Sequence, residues 1–318
     1  SKIINNGRRE PVKNLDELPS PAWHLFDMKR YNEPFCENYP NFQMLSSRGC
    51  VFKCSYCSFP QLMFGGRIFR AHSPERVVGE MEDVIEKFGP KEIYFDDDTF
   101  TLDQERIKMI CSLIKKKGIG VKWSCMTHCG CVSYDLLKNM KEAGCVAIKF
   151  GIESGSQEIL NRLGKGLDLN HARRVIRWCR ELGIRTHTTF MLGLPGDTRN
   201  TMLKTIKLID EIGSDSFQIS IAIPYPGTGF YEMALKNGWL VTDDWSRYDG
   251  NRYAVVSYPN LPSTEIERMK DYVDRRTFLR GVKSPRKVIS KIKCSYEEGG
   301  PVKTARMIKT KLVELLKV

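Results

Sequence analysis

Three cysteines lie close together in the stretch SSRGCVFKCSYCSF, residues 46–59. Cys50, Cys54 and Cys57 have the spacing C-x3-C-x2-C. In a chain whose thiols stay reduced, cysteines this close bind metal or do redox chemistry. A structural zinc site takes four ligands, and the loop offers only three. A four-iron cluster normally takes four thiolates, so three would leave one iron open to bind a cofactor and pass it an electron.

The residues alone leave two other interpretations open. One is a basic binding protein whose cysteines hold structural zinc, and the other is an iron–sulfur electron carrier. Against a nucleic-acid-binding role, the basic C-terminal tail has no interleaved aromatic residues, so no nucleic-acid partner is expected. A carrier needs less chain than this, and a fully ligated cluster needs a fourth cysteine in the loop.

The motif SRGCVFKCSYC resembles the signature of the radical S-adenosylmethionine enzymes, including Tyr56 before the last cysteine. The resemblance extends over about residues 20–290. The stretches FDDDTFT (95–101), GIES (151–154), LGLPGDT (192–198) and PYPGT (224–228) are similar to the subgroup that usually carries a cobalamin-binding domain, the class B methyltransferase-like enzymes. By this resemblance, Cys50, Cys54 and Cys57 ligate a 4Fe–4S cluster.

The resemblance also implies the reaction and the cofactor contacts. Reduction of S-adenosylmethionine at the cluster yields a 5′-deoxyadenosyl radical, which removes hydrogen from a substrate carbon. The expected cofactor-binding residues are Tyr56, Asp97, Asp98, Glu153, Ser154 and Tyr225. Of these, Tyr56 is expected near the adenine, an acidic residue of the Asp pair near the ammonium, and Glu153 at the ribose hydroxyls. Arg162 and Lys165 are expected to be exposed charges at a helix end.

Cobalamin would reach this chain only through a domain that the chain lacks. The subgroup's cobalamin motif, D-x-H-x-x-G, does not occur in the sequence, and KNLDELPSPAWHLF resembles the segment that normally follows that domain. Two interpretations stay open. The chain is the catalytic portion of a longer enzyme that methylates carbon with methylcobalamin, or a cobalamin-free enzyme that performs a cyclisation, desaturation or rearrangement.

Other cysteines raise the question of a second cluster. Cys125, Cys129 and Cys131 have the spacing C-x3-C-x-C, and Cys145 follows. Buried thiols are the favoured interpretation, because Cys125 lies on a predicted strand and Cys145 opens the next one.

Alternating strands and helices must position these residues. Strand-like stretches occur near 43–49, 92–96, 121–125, 145–151, 185–192 and 216–223, and amphipathic helical stretches occur at 73–89, 101–118, 133–144, 169–183 and 200–213. This α/β pattern predicts a partial (β/α)6 TIM-like barrel with a C-terminal helical extension. A doubly wound open sheet is the alternative. In both folds the chemistry lies at the carboxyl ends of the strands.

Three segments are predicted: an irregular linker at 1–40, the barrel at 41–238 and a basic helical extension at 239–318. Of the net charge of +12, most lies between Arg275 and Val318, which hold 13 Lys and Arg against 3 Asp and Glu. This tail is either a solvated helical face or a peripheral membrane contact, and the second interpretation would suit a lipid-like substrate.

The remaining expectations concern the setting of the enzyme. No run of about 18 apolar residues predicts a membrane-spanning helix, and the first residues lack an apolar signal core, so a cytoplasmic location is expected. The expected partners are a small-molecule or lipid-like substrate and an electron donor such as flavodoxin or ferredoxin.

Overall fold

Eight strands are present in the computed structural model, which describes residues 4–7 and 9–282. In chain order they are β1 (Asn41–Met44), β2 (Ser47–Arg48), β3 (Arg70–Ala71), β4 (Glu92–Phe95), β5 (Lys122–Thr127), β6 (Cys145–Glu153), β7 (Arg185–Leu192) and β8 (Ser216–Ile221). The short strands β2 and β3 pair with each other, and the other six form one sheet.

Helices connect successive strands of the large sheet. They are α1 (Pro74–Phe88), α2 (Gln104–Lys116), α3 (Tyr134–Glu142), α4 (Gln157–Leu163), α5 (Leu169–Glu181), α6 (Arg199–Ile212), α7 (Gly229–Lys236) and α8 (Ser263–Val282). A five-residue π-helix, Phe59–Met63, follows the three cysteines. Short 3-10 turns occur at Leu15–Glu17, Trp23–Leu25, Met28–Arg30, Cys129–Cys131 and Trp245–Arg247.

The order of the strands decides between the two predicted architectures. The sheet runs β1-β4-β5-β6-β7-β8, every neighbouring pair is parallel, and the order never reverses. A doubly wound sheet reverses its strand order at a switch point, which this sheet does not. Six strand–helix units wound in one direction, with β1 and β8 at the two edges, confirm the partial barrel.

The two faces of the sheet differ in character, because successive side chains on a strand point to opposite faces. On one face Phe95 packs against Phe100 and Trp123, with ring centroids 4.7 and 5.8 Å apart, and all three are fully buried. On the other face the Ser124 hydroxyl donates to Glu92 at 2.7 Å. The barrel therefore has an apolar helix-facing layer and a polar interior.

Caps define the helix starts that the sequence predicts. Ser73 accepts a hydrogen bond from the backbone N–H of Arg76 at 3.2 Å, and α1 ends at Gly89 in the left-handed conformation. Asp103 caps α2 in the same way, and Thr198 and Thr201 form a capping box on α6. The local signals and the observed boundaries agree because these bonds are formed within a few residues.

The first strand differs from its prediction. It was expected near 43–49, but β1 ends at Met44, whose carbonyl accepts the last ladder bond from the Asp96 N–H. Beyond it, Ser46 and Ser47 donate to the Asp97 side chain. Side-chain hydrogen bonds therefore replace the ladder and turn the chain toward the cysteines.

The described residues up to Glu267 belong to one compact unit, and those from Arg268 belong to a second. The division into segments at residues 40 and 238 stays a prediction. Residues 283–318 of the predicted basic helical extension lie outside the described residues. Within residues 4–7 and 9–282, no helix has the length and apolar character needed to cross a bilayer.

The loops at the carboxyl edge of the sheet pack closely around Gly155, which follows β6, so a substitution there tests this packing. An added Cβ at Gly155 would lie 2.3 Å from the Lys204 carbonyl oxygen, so Gly155→Ala is expected to lower the free energy of unfolding by about 1–3 kcal/mol. Gly79→Ala is the control, because that position on α1 is open and alanine should stabilise the helix by about 0.5–1 kcal/mol. Urea unfolding measures both, and equal stabilities of the two variants would contradict the packing described.

Candidate active site

The three cysteines lie on an irregular loop beside the carboxyl ends of the strands. Cys54 is buried, whereas Cys50 and Cys57 are partly exposed. The loop begins at Gly49, which has a φ of +98°, and a Cβ there would lie 1.8 Å from the Ile68 carbonyl oxygen. Only glycine fits this turn, so the approach to Cys50 is set by the backbone.

Hydrogen bonds from distant segments hold this loop in place. The Gln61 side-chain amide donates to the carbonyls of Cys54 and Cys57, at 3.1 and 2.7 Å. Its oxygen accepts from the Gly229 N–H at 2.9 Å. Ser55 bonds through its N–H to Leu163 and through its carbonyl to Phe230, each at 2.9 Å. The loop is therefore tied to α4 and α7, although it has no regular structure itself.

The electrostatics of the thiols favour a bound cation. Burial raises the pKa of Cys54 and raises that of Cys57 to about 11, and negative charge on Cys50 raises both further. Three thiolates together are therefore unfavourable until a cationic centre is bound to them. The donor set is the one that an iron–sulfur cluster requires.

A four-iron cluster and a single zinc ion require different arrangements of their thiolate ligands. Across the part of the chain that is described, no three His, Cys, Asp or Glu side chains converge as the ligands of one ion would. A cluster does not need such convergence, because each of its thiolates binds a different iron. The three cysteines are the thiolate set that such a cluster needs.

Of the other cysteines among the described residues, Cys36 is partly exposed, and Cys111, Cys125, Cys129, Cys131, Cys145 and Cys179 are buried. Cys125, Cys129 and Cys145 are fully inaccessible, and Cys125 lies close enough to Cys145 for a thiol–thiol hydrogen bond. Burial, and after it the negative charge of nearby Cys50, raise the pKa of Cys131 to about 11. It is therefore the residue to test as a fourth ligand.

Two acidic residues after β4 hold the strand that leads to the cysteines. Asp97 is fully buried and accepts hydrogen bonds from the Ser46 N–H, at 3.1 Å, and from the hydroxyls of Ser46 and Ser47. Asp98 is partly exposed and accepts from the Gly49 N–H at 3.1 Å. Burial raises the pKa of both carboxyls. Their geometry positions the loop, and their predicted contact with the cofactor stays a prediction.

A buried ion pair lies beside the cysteine loop. Glu153 ends β6 in a left-handed conformation, with a φ of 73°, that side chains rarely adopt. Its Oε1 accepts from the Lys165 Nζ at 3.1 Å, and both side chains are less than a tenth exposed. Its Oε2 is buried and has no hydrogen-bond partner among the residues described. A buried carboxylate oxygen without a donor fits a ligand hydroxyl, as the ribose of S-adenosylmethionine would supply.

Tyr56 joins this pair to the cysteines. Its hydroxyl lies 3.4 Å from the Lys165 Nζ. Burial and the negative charge of Glu153 raise the pKa of Tyr56, so the phenol stays protonated. Ser154 is fully buried, accepts from the Ser156 N–H at 3.1 Å and lies 3.4 Å from the Thr205 hydroxyl. Ser154 therefore orders the loop before α4, and its contact with the cofactor stays a prediction.

A histidine occupies the position after β5 where the resembling subgroup often has arginine. His128 stacks on Phe52 with ring centroids 3.9 Å apart. Its Nδ1 accepts from the Gly130 N–H and its Nε2 faces the Lys165 carbonyl, which fixes a neutral ring that donates from Nε2. Burial lowers the pKa of His128 to about 3. The ring supports both the cysteine loop and the loop that carries Lys165.

Tyr225 is the most exposed of the predicted site residues, at 43%. It follows β8, and its hydroxyl donates to the Tyr248 carbonyl at 3.4 Å. Its loop leads to Gly229 and Phe230, which bond to the cysteine loop. The structure thus joins the loop of Tyr225 to that of the cysteines, while the contact of Tyr225 with the cofactor stays a prediction.

Sequence reasoning was wrong about Lys165. It was expected to be an exposed charge beside Arg162, but it is buried against Glu153, whereas Arg162 is indeed exposed and pairs with Glu158. The flanking glycines were the available signal, since Gly164 and Gly166 both have a positive φ and fold the chain back into the site. Gln61 was missed as well, because nothing in its local sequence marks it.

The chain belongs to the radical SAM superfamily, whose family model matches residues 44–209. The matched region contains the cysteine loop and the strands from β4 to β7. Membership makes the chain a radical SAM enzyme, with a 4Fe–4S cluster and S-adenosylmethionine as its cofactors.

Relatives with assigned names include methyltransferases and a cyclase. An uncharacterized methyltransferase of Pyrococcus horikoshii is 36% identical over 247 residues, which are 78% of this chain and 53% of that protein. The anaerobic magnesium-protoporphyrin IX monomethyl ester cyclase of Rubrivivax gelatinosus is 26% identical over 73% of this chain and 41% of its own length. This chain thus spans about half the length of the curated relatives it matches.

A solved structure has the same fold. The radical S-adenosylmethionine methyltransferase TsrM of Kitasatospora setae, with cobalamin and a [4Fe-4S] cluster bound, superposes with a TM-score of 0.57. The match has 19% sequence identity and covers 71% of this chain and 43% of that one. At this identity the likeness establishes the fold.

The loop after β7 generates a prediction about pH. Asp197 accepts from the Leu194 N–H and the Thr201 hydroxyl, and burial raises its pKa from 3.8 to about 6. Between these values the folded protein holds a proton that the unfolded chain releases, so the free energy of unfolding falls as pH rises from about 4 to 6. The gap between the two pKa values corresponds to about 3 kcal/mol.

Asp197→Asn should remove this part of the pH dependence, and urea unfolding at several pH values between 4 and 7 would measure it. Asp135→Asn, at an exposed position on α3, should keep the wild-type slope. A wild-type slope in the Asp197 variant would contradict the raised pKa.

Proposed function

We propose that this chain is the catalytic portion of a cobalamin-dependent radical S-adenosylmethionine methyltransferase that methylates an unactivated carbon. The cysteine loop, held beside a buried carboxylate with an unpartnered oxygen, carries the cofactor part of the proposal. The methyltransferase name of the 36% identical relative supports the reaction class. Cobalamin would be supplied by a domain outside these 318 residues, as the bound cobalamin of TsrM suggests.

Cys50, Cys54 and Cys57 would hold a four-iron cluster, which would supply the electron for reductive cleavage of S-adenosylmethionine and so the means to remove a hydrogen atom from the substrate. The chain's own residues hold the reactants in place and exclude water. Cys50, Cys54 and Cys57 bind three irons. Glu153 accepts the ribose hydroxyls through its Oε2, and Tyr56 lies near the adenine.

Lys165 is a positioning residue in this proposal. Its ammonium pairs with the Glu153 carboxylate at 3.1 Å, which compensates for burying the two side chains together. Asp98 orients the loop through the Gly49 N–H, and its exposed side receives the cofactor ammonium. The cofactor site also includes Asp97, Ser154 and Tyr225. Asp97 and Ser154 act there through the loops that they order.

A second reaction class has its own support. The Rubrivivax relative is named a cyclase, and cyclisation also follows from removal of a substrate hydrogen. The cobalamin-free alternatives, which include desaturation and rearrangement, would use the same residues up to that step. Addition of methylcobalamin with a candidate substrate separates the classes, because only a methyltransferase transfers the methyl group.

The reaction needs an electron donor, for which we propose a flavodoxin or a ferredoxin in the cytoplasm. The substrate is a small or lipid-like molecule. A membrane contact through the basic tail is part of the lipid-like version, and residues 283–318 of that tail lie outside the described residues.

Replacement of the cysteines tests the cluster. The purified chain, reconstituted with iron and sulfide, reduced and given S-adenosylmethionine, should hold about four irons and release 5′-deoxyadenosine. The Cys50→Ala, Cys54→Ala, Cys57→Ala variant should lose both properties. Cys131→Ala is the matched control and should keep both, because Cys131 is near Cys50 but outside the trio.

Two outcomes would contradict this assignment. If Cys131→Ala loses its iron as the triple variant does, the cluster has four protein ligands and no open iron. If the wild type binds zinc and no iron, the enzyme assignment itself fails.

Lys165→Met tests the buried ion pair. Removing one partner leaves Glu153 buried without its counter-charge, so the free energy of unfolding should fall by about 3–5 kcal/mol. The affinity for S-adenosylmethionine should also fall, as calorimetry on the cluster-loaded protein would measure. Arg162→Met, which removes an exposed pair on the same segment, should change stability by at most about 0.5 kcal/mol. Equal effects of the two variants would refute the role of Lys165.

A further inference from the structure

A cavity of about 370 Å³ lies at the open β1 edge of the sheet. One wall is the segment 18–31, which precedes the barrel, and the other walls are the end of β1 and the first turns of α1. Its apolar lining includes Trp23, Phe26, Met28, Tyr31, Met44 and Leu45. No function assigned above uses this space.

The lining is unusually apolar for an accessible surface. Phe26, Tyr31 and Leu45 are 53%, 52% and 49% exposed. Contiguous exposed apolar residues that line a concave space typically mark a binding site. The ligand should therefore present an apolar body to this wall.

The polar groups of the cavity favour a negatively charged end on that ligand. Arg48 and Arg76 are both part of the lining, and the Arg76 Nε is buried with no hydrogen-bond partner in the described part of the chain. Glu80 already accepts from the Trp23 indole at 3.3 Å, and His72 is paired with Asp16, which lies outside the lining.

The remaining acid of the lining, Asp96, directly follows β4, and its N–H donates to the Met44 carbonyl at the end of β1. Arg76 belongs to the first turn of α1.

The cavity adjoins the cysteine loop. Arg48 precedes Cys50 by two residues, so their Cα atoms are at most about 7.6 Å apart. Asp96 precedes Asp98 by two residues, and Asp98 bonds to the Gly49 N–H. The cavity thus reaches the two chain segments that hold the first cysteine.

We propose that this cavity binds the substrate, an apolar molecule with one carboxylate or phosphate group. The anionic group lies against Arg76 and Arg48, and the apolar body lies along Phe26, Tyr31 and Leu45 toward the cysteine loop. This inference rests on the proposed function only in treating the ligand as the substrate, since binding itself needs no radical chemistry.

Three probes with the same ten-carbon chain test the chemistry of the site: decanoate, decanol and decyltrimethylammonium. Calorimetry on the full, cluster-loaded chain should give the tightest binding for decanoate, by about tenfold or more over decyltrimethylammonium. Equal affinities for all three would overturn the anionic preference. Methyl decanoate and decyl phosphate test which anionic group the site accepts. Loss of binding with the uncharged ester and retention with the phosphate would indicate a site that accepts either anion.

Adjacent residues provide a matched pair of variants for the location. Phe26→Asp removes a phenyl group from the lining and adds a negative charge there, so it should weaken decanoate binding about tenfold or more. Leu25→Asp, at a residue that is 72% exposed and outside the lining, should leave the affinity unchanged. The same affinity for decanoate in both variants would overturn the assignment of binding to this cavity.

The cysteine variant separates this inference from the proposed function. The triple Cys→Ala chain should bind decanoate as the wild type does, whether or not the wild type makes 5′-deoxyadenosine. A reconstituted wild type that binds decanoate but makes no 5′-deoxyadenosine would refute the radical chemistry and leave the cavity assignment standing. Loss of decanoate binding in the Arg76→Gln variant, with the thermal unfolding temperature unchanged, would support the anion contact, and retained binding would refute it.

Discussion

Three thiolates must be held close together in a loop that has no regular structure, and the rest of the active-site edge is arranged around that requirement. Their mutual repulsion and their burial both oppose the charged form until a metal centre is bound. The loop therefore depends on bonds from outside itself: Asp98 to Gly49, Gln61 to two carbonyls, and Ser55 to α4 and α7. Because these partners follow different strands, the loop is ordered only when the barrel is folded.

The same edge holds a charge where water is largely excluded. An isolated buried carboxylate would take up a proton, and Lys165 prevents this by pairing with Glu153. Gly151 leaves the room for that pair, since a Cβ there would lie 2.5 Å from the Glu153 Oε1. The left-handed backbone at Glu153 and its unpartnered oxygen are the features that a bound hydroxyl compound would relieve.

Local patterns in the sequence predicted the features that form within a few residues. The caps of α1, α2 and α6, the spacing of the cysteines and the alternation of strands and helices are of this kind, and they gave the barrel and the family. The burial of Lys165 could not be predicted, because it depends on contact with a strand 12 residues earlier in the chain. The role of Gln61 depends on Gly229, which is 168 residues away. The short helices α4 and α7 were missed because seven or eight residues carry too little periodicity.

The open iron is the central claim, and Mössbauer spectroscopy tests it most directly. The chain would be reconstituted with ⁵⁷Fe and measured with and without S-adenosylmethionine. If three thiolates bind a four-iron cluster, one iron in four should change its isomer shift and quadrupole splitting when the cofactor is added. Four irons that do not respond to the cofactor would contradict the account, because they would show that no iron is left open by the protein.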